Sequence, residues 1–592
     1  MTDSASIALQ AAQKGADETQ SRWALKWPAM VLALTAAAYS GTLAYLFVHD
    51  DIDQIVNNPR VHSWRFVPGY FTSHIWSHLS PQWGGVHYRP MFLLWLLINH
   101  TLFELHPLWW HLSTVIAHLA ATLMVYLLVT KLTRNSLTAA VAAAVFGLHP
   151  VHIEAVAWVS GVAEPLLAVL IIGSFLCYLK REDKRRQSGW FAASLLLFAM
   201  ALLTKETAIV FPVLIFAYEW IFRNEAPGRS RLESGVMGAI PFLVLTLIYL
   251  PVRASALKGM GASLTPLPLS TVLLTLPSVL WTYIRLLVWP IGLSAFYDVH
   301  YVTGPGVSTF VLPLLAVIAI GIALFLWSRT SRVVAFASVW LLVSIIPVLN
   351  LSALLKDEFI HDRYLYLPSV GFSIMVAVAI ARLDVSRARL FGLPASQLVP
   401  AVAVIGLLGM ATAWQHSFWA NEFVLFQRGV EVAPSNMIAR NNLGNVLMEQ
   451  GLYAEAAVHL EKSVDRNADS RSANWNLGLS YYQLGRFDEA RNYLTHAVEL
   501  DPGRAEQFVY LALTDIQLGL LNDGRAALQR AKEINQSTPG VHYGLGVALK
   551  KEGDLRSALD EFKAEAALNP ADVAANSQIA EIESRIQPLR KR

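Results

Sequence analysis

Eleven runs of this chain are apolar over roughly the ~20 residues a helix needs to cross a bilayer. They lie at about 27–48, 107–130, 136–149, 160–179, 189–204, 207–222, 235–252, 308–327, 333–350, 365–381 and 398–415. Only 15% of the 592 residues are charged, against about 25% in soluble domains, which argues against a soluble enzyme. The charge is also uneven: residues 421–592 hold 42 of the 89 Asp, Glu, Lys and Arg residues, so the first part reads as membrane and the last as soluble. The fold expected is all-α, a polytopic helical bundle over 27–420 behind a cytoplasmic tail at 1–26, followed by a solenoid within 421–592.

A net charge of +3 gives no electrostatic footprint for nucleic acid. The single cysteine, Cys177, lies in an apolar run and excludes a disulfide within the chain. The first 20 residues are polar and lack a signal-peptide pattern; the apolar run after them exceeds signal-peptide length and reads as an anchor.

Lys and Arg favour short cytoplasmic loops. With the N-terminus inside, the loops at 131–135, 180–187, 223–231, 328–332 and 382–389 hold 15 Lys and Arg. A twelfth apolar stretch, 271–290, contains Pro277 and Arg285, and counting it as a span would move the last two basic loops outside. It is therefore placed in the outer interface or as a re-entrant segment. The C-terminal domain then emerges outside the cytoplasm, in the periplasm if the membrane is a bacterial inner membrane. The first outer loop, 49–106, is expected to lay two helices (about 63–104) on the membrane surface.

The tail repeats every 34 residues. Leu443-Gly444, Leu477-Gly478, Leu511-Ala512 and Leu545-Gly546 keep that step, as do Gly451, Gly485, Gly519 and Gly553. Ala456, Ala490, Gly524 and Ala558 follow it too. This is the tetratricopeptide (TPR) pattern of paired helices. Four repeats, about 436–570, stack into a superhelix whose groove receives a polypeptide acceptor or a partner protein.

Ionisable groups at membrane depth are costly and mark function. With the chain so oriented, the polar motifs fall on the outer side: His49-Asp50-Asp51, His87-Tyr88-Arg89-Pro90, His149-Pro150-Val151-His152-Ile153-Glu154, Lys205-Glu206, Arg253, Tyr297-Asp298 and His361-Asp362-Arg363-Tyr364. Asp50 and Asp51 supply a general base, or with His49 a site for a divalent ion such as magnesium or manganese. Arg363, Arg253, Lys205 and Arg89 suit a phosphate, the arginines in fork geometry. His149, His152, Glu154, Glu206, Asp298, His361, Tyr364 and Tyr88 are candidates for substrate contacts. An acid near several cations at the lipid boundary fits glycosyl transfer from a polyprenyl-phosphate sugar: the cations hold the anionic head, the tail stays in the bilayer, and the base deprotonates an acceptor hydroxyl.

Those motifs resemble the transmembrane-and-tetratricopeptide (TMTC) type of protein O-mannosyltransferase and its bacterial relatives, in the GT-C superfamily. The matching residues are Asp50-Asp51 with Ile55-Val56-Asn57-Asn58-Pro59, Tyr88-Arg89-Pro90, residues 149–156, Leu203-Thr204-Lys205-Glu206 and residues 363–369. With the TPR tail, the resemblance covers about 27–570. It implies sugar transfer on the non-cytoplasmic face and a catalytic role for the 50–51 pair. The family commonly has Gly-Arg-Ala-Asp where this chain reads Gly161-Val162-Ala163-Glu164, so an arginine is missing and Glu164 stands in for the acid. Two rival readings remain open: glycan transfer onto lipid or cell-surface polysaccharide, and a non-catalytic membrane scaffold.

Overall fold

The computed structural model describes residues 26–79, 87–181, 187–223, 230–257, 267–351, 358–383 and 388–586. The expected cytoplasmic tail and parts of the basic loops fall outside them. The chain divides into two compact units, Met1–Arg428 and Gly429–Arg592.

The first unit is a helical bundle: α1 Lys26–Ala44, α2 Pro90–Phe103, α3 Pro107–Thr133, α4 Ser136–Gly147, α5 Pro150–Ala157, α6 Val159–Lys180 and α7 Gln187–Thr204. Then come α8 Phe211–Phe222, α9 Arg231–Ala256, α10 Leu269–Val288, α11 Val307–Ser328, α12 Arg332–Leu349, α13 Pro368–Ala381 and α14 Ala395–Trp419. Local sequence sets the helix starts. Asn135 accepts from Thr138 N–H to cap α4, and Ser230 with Glu233 forms a capping box on α9. A two-residue strand pair, Arg389–Leu390 with Leu393–Pro394, is the sole sheet among the described residues.

Among the described residues nine helices are long and apolar enough to span a membrane, ten if α4 and α5, bent by 52°, form one span. The expectation of eleven is corrected at two places. The runs at 207–222 and 365–381 become α8 and α13, of 12 and 14 residues, each opening with Pro near its first turn behind a 3-10 segment (Glu206–Val210 and Asp362–Leu365). Proline lacks an N–H and disfavours helix in the residue before it; Pro150 breaks its run in this way, with His149 extended, whereas the residues before Pro212 and Pro368 stay helical and those runs instead open as 3-10 turns after the extended Lys205 and His361.

The stretch set apart as interfacial, now α10, passes the same length test. Its hydrogen bonds nonetheless stay at one end of the bundle. Ser278 Oγ donates to the Thr309 carbonyl at the start of α11, Tyr283 Oη to the Phe359 carbonyl, and His149 Nε2 meets the Leu287 carbonyl. The first loop carries one long helix, α2, with short turns at Pro59–His62, Trp64–Phe66 and Val67–Tyr70 in place of the second surface helix.

The second unit is built of helix pairs: α15 Met437–Glu449 with α16 Tyr453–Arg466, α17 Arg471–Gln483 with α18 Phe487–Leu500, α19 Ala505–Gln517 with α20 Leu521–Ile534, and α21 Val541–Glu552 with α22 Leu555–Leu568. The periodic small residues have two physical causes. Gly485 ends α17 with φ 72°, a left-handed conformation that glycine adopts without penalty. At Gly478 an added Cβ would lie 2.7 Å from Leu494 Cγ, so the paired helices touch there. Repeat three exchanges the pair: Ala512 takes the first small position and Gly524 the second, where a Cβ would meet the Ala512 carbonyl at 3.0 Å. A ninth helix, α23 Val573–Ile586, buries Ile582 against Ala558 and Phe562 and closes the stack.

Candidate functional site

The helix breaks at one end of the bundle surround a cavity of about 350 Å³. His49 and Asp50 enter it from beyond α1, His87 and Arg89 from before α2, Glu154 from α5, Glu164 from α6, Lys205 from beyond α7, and Glu358, His361, Arg363 and Tyr364 from before α13. Eight expected site residues thus share one space: His49, Asp50, Arg89, Glu154, Lys205, His361, Arg363 and Tyr364.

The two neighbouring aspartates point different ways. Asp51 is fully buried; its Oδ1 accepts from the Ser160 N–H at 2.8 Å and the Ser160 hydroxyl at 2.6 Å, and its Oδ2 from the Val48 N–H at 3.3 Å. Burial pushes its carboxyl up to about 7 against those donors. Asp50 faces the cavity with its side chain 30% exposed and pairs with His49 Nδ1 at 3.0 Å. Burial works against its charge, but His49 and Arg363 overcome it and hold Asp50 below the usual carboxylate range. Burial likewise opposes a charged His49, yet the Asp50 carboxylate raises the imidazole to about 9.

Each expected phosphate-binding cation in the cavity has its own carboxylate. Arg89 grips Glu206 with two hydrogen bonds, Nε to Oε2 at 3.1 Å and Nη2 to Oε1 at 2.7 Å. His87 Nδ1 lies 3.3 Å from the same Oε1. Lys205 pairs with Glu164 and sits 5.3 Å from the centre of the Tyr364 ring. Arg363 pairs with Glu154 through its side chain, its backbone N–H donates to Glu154 Oε2 at 2.8 Å, and its guanidinium lies 5.1 Å over Trp158 and 5.2 Å over Tyr364. A buried cation without such a partner would be expensive; here the carboxylates fix each cation's orientation toward the cavity.

Other expected site residues lie elsewhere. Asp51 is corrected from candidate base to a buried anchor, because its oxygens are occupied by Ser160 and Val48. His149 and His152 are buried outside the cavity, bonded to the Leu287 carbonyl and to Ser369 Oγ at 2.8 Å. Tyr88 is buried and donates to the Phe71 carbonyl at 3.0 Å. Asp298 lines a separate groove with Trp281 and Tyr301. Arg253, in the last turn of α9, is outside the cavity lining. Glu206 is outside the cavity lining and is held by Arg89. Trp158, Phe296, Glu358 and Trp419 line the cavity without having been singled out, and His87, named only within its motif, lines it too. His87 adjoins the Tyr-Arg-Pro motif and Glu358 stands three residues before His361, which are the signals that pointed to them.

A divalent ion on His49, Asp50 and Asp51 does not fit this geometry. Asp51 is turned away and saturated with donors, and His49 already contacts Asp50. Among the described residues no group of three or more His, Cys, Asp and Glu side chains is arranged to hold a metal.

Comparison with known proteins gives the following. The tetratricopeptide repeat family matches residues 425–467 and 441–505. Protein O-mannosyl-transferase TMTC1 of Homo sapiens is 27% identical over 497 residues, covering 73% of this chain and 54% of its own length. Protein O-mannosyl-transferase TMTC3 of Mus musculus is 25% identical and covers 72% and 50%; F38B6.6 of Caenorhabditis elegans, of the same description, is 25% identical and covers 72% and 61%. The chain thus spans about half the length of the curated relatives it matches, and the TMTC resemblance seen in its motifs extends to about three quarters of its residues. Among solved structures, MamA is 20% identical with a TM-score of 0.23, covering 27% of this chain and 89% of its own. YrrB, described as a TPR protein with an unusual peptide-binding site, is 20% identical with a TM-score of 0.24, covering 30% and 90%.

Proposed function

We propose that the bundle transfers a sugar, mannose by analogy with the names of its relatives, from a polyprenyl-phosphate donor to a hydroxyl of a polypeptide. The reaction takes place on the extracytoplasmic face of a bacterial inner membrane, in the manner of a GT-C glycosyltransferase, and the TPR unit recruits the acceptor. One observation carries the reading: an ionised carboxylate, Asp50, opens into the same cavity as Arg89, Lys205 and Arg363.

In this reaction the acceptor oxygen attacks the anomeric carbon, forming the new glycosidic bond. The bond from that carbon to the phosphate oxygen breaks, and polyprenyl phosphate leaves with the electron pair. The hydroxyl proton passes to Asp50. Arg363, Lys205 and Arg89 stabilise the charge that develops on the phosphate, while their carboxylate partners keep them oriented. His361, Tyr364 and Trp158 form the wall beside the sugar.

Purified full-length protein, supplied with a polyprenyl-phosphate mannose donor and an acceptor peptide, tests this. Asp50→Asn is expected to lower the turnover by roughly 10²- to 10⁴-fold. Full activity in Asp50→Asn would overturn the assignment, and transfer of sugar to lipid or polysaccharide but not to peptide would replace the acceptor.

A further inference from the structure

His49 carries a conformation that few residues accept. Its φ is 55°, in the left-handed region, where a side chain costs roughly 1–2 kcal/mol. The surroundings hold it there. Its backbone N–H donates to Glu422 Oε1 at 3.1 Å. Its ring stacks on Phe296, with centroids 6.3 Å apart and planes 12° apart, and lies 5.8 Å from both Trp158 and Phe426. The next two residues diverge: Asp51 is pinned behind by Ser160, and Asp50 is delivered into the cavity against His49 Nδ1. Backbone strain that the neighbours over-determine in this way belongs to functional sites.

We propose that His49 is a positioning residue, acting through Asp50: its imidazolium holds the Asp50 carboxylate ionised and aimed at the reacting hydroxyl. The inference rests on the transfer reaction above. It adds a residue whose expected place was a metal site and gives it a different task. The charged groups around His49 are Asp50, Glu358, Arg363 and Glu422. Of these Asp50 is in direct contact with the ring. Arg363 reinforces the ionisation of Asp50 but is committed to Glu154. Phe296, Trp158 and Phe426 flank the imidazole, and its Nδ1 meets the Asp50 carboxylate at 3.0 Å. Asp50 therefore works as an ion pair with His49, which holds it below the usual carboxylate range.

The test is the pH profile of transfer by the full-length protein in His49→Gln, which keeps an N–H donor without the charge, and in His49→Asn, which also tolerates the left-handed backbone. Loss of the positive charge releases Asp50 upward. The acid limb of kcat is expected to move to higher pH by at least about one unit, a roughly tenfold loss on the acid side. The alkaline plateau should fall far less, and KM for the donor should stay unchanged. Asn covers the case in which Gln fails to fold. An unmoved limb with a uniform loss of rate overturns the positioning role alone. An absence of transfer in the unmodified protein overturns the reaction itself and this inference with it.

Discussion

The two units of this chain handle charge in opposite ways. Around the bundle cavity the ion pairs are sequestered: Glu154 and Glu164 have side chains 1% and 5% exposed, and each is matched to one cation from a distant part of the sequence. In the TPR unit most pairs lie at the surface, some within one helix, such as Arg530 with Glu533, 53% and 50% exposed at 3.0 Å, and some between helices, such as Arg525 with Glu552; Asp515, 3% exposed, is an exception held by Arg491. The TPR unit draws its order from another source, the contact of small residues between paired helices. Most TPR charges therefore stay in water, whereas the bundle gathers buried pairs at one place, and such a network is the sign of a site.

This contrast sets a ranking of effects. Glu154→Gln is expected to be the most damaging, since it leaves Arg363 and its neighbourhood uncompensated. A loss of about 3–5 kcal/mol is the usual scale, read as a sharply lower melting temperature in detergent together with loss of transfer. A melting temperature equal to that of the unmodified protein would show that the pair is not a structural necessity. Gly478→Val drives a side chain into Leu494 and should cost about 1–3 kcal/mol. Transfer by the bundle to a small soluble acceptor should persist, because the lesion is confined to the repeats. Arg530→Ala breaks a surface pair. Its melting temperature should match that of the unmodified protein within the scatter of the measurement, at low and high salt alike.

Much of the architecture was legible because apolar sequence makes polar residues conspicuous. Lys205, Glu154 and Arg363 stand in otherwise greasy surroundings, and the cavity brings them together. The 34-residue spacing of Gly451, Gly485, Gly519 and Gly553 gave the repeats directly, since each ends a helix with positive φ. Other features depend on tertiary geometry. Which of two adjacent aspartates faces the cavity is decided by Ser160, more than a hundred residues away, and by the left-handed turn at His49. That every phosphate-binding candidate in the cavity is already paired follows from three long-range contacts: α5 with the segment before α13, α6 with the segment after α7, and the segment before α2 with the segment after α7. His149 and His152 misled for a related reason. A histidine at a helix break is as readily satisfied by a backbone carbonyl as by a substrate, and here the Leu287 carbonyl meets His149. The lengths of α8 and α13 were overstated because hydropathy does not separate a 3-10 turn from an α-helix: each run opens with such a turn, after the extended Lys205 and His361.

The central claim is that the end of the bundle bearing Asp50 is where a lipid-linked sugar reacts. A structure of the full-length protein with a polyprenyl-phosphate sugar, determined in a lipid nanodisc, tests it most directly. The account predicts phosphate density within hydrogen-bonding reach of Arg363, with the sugar between it and Asp50 and the lipid tail running out between helices. Phosphate density elsewhere on the bundle, with this cavity holding none, would contradict it.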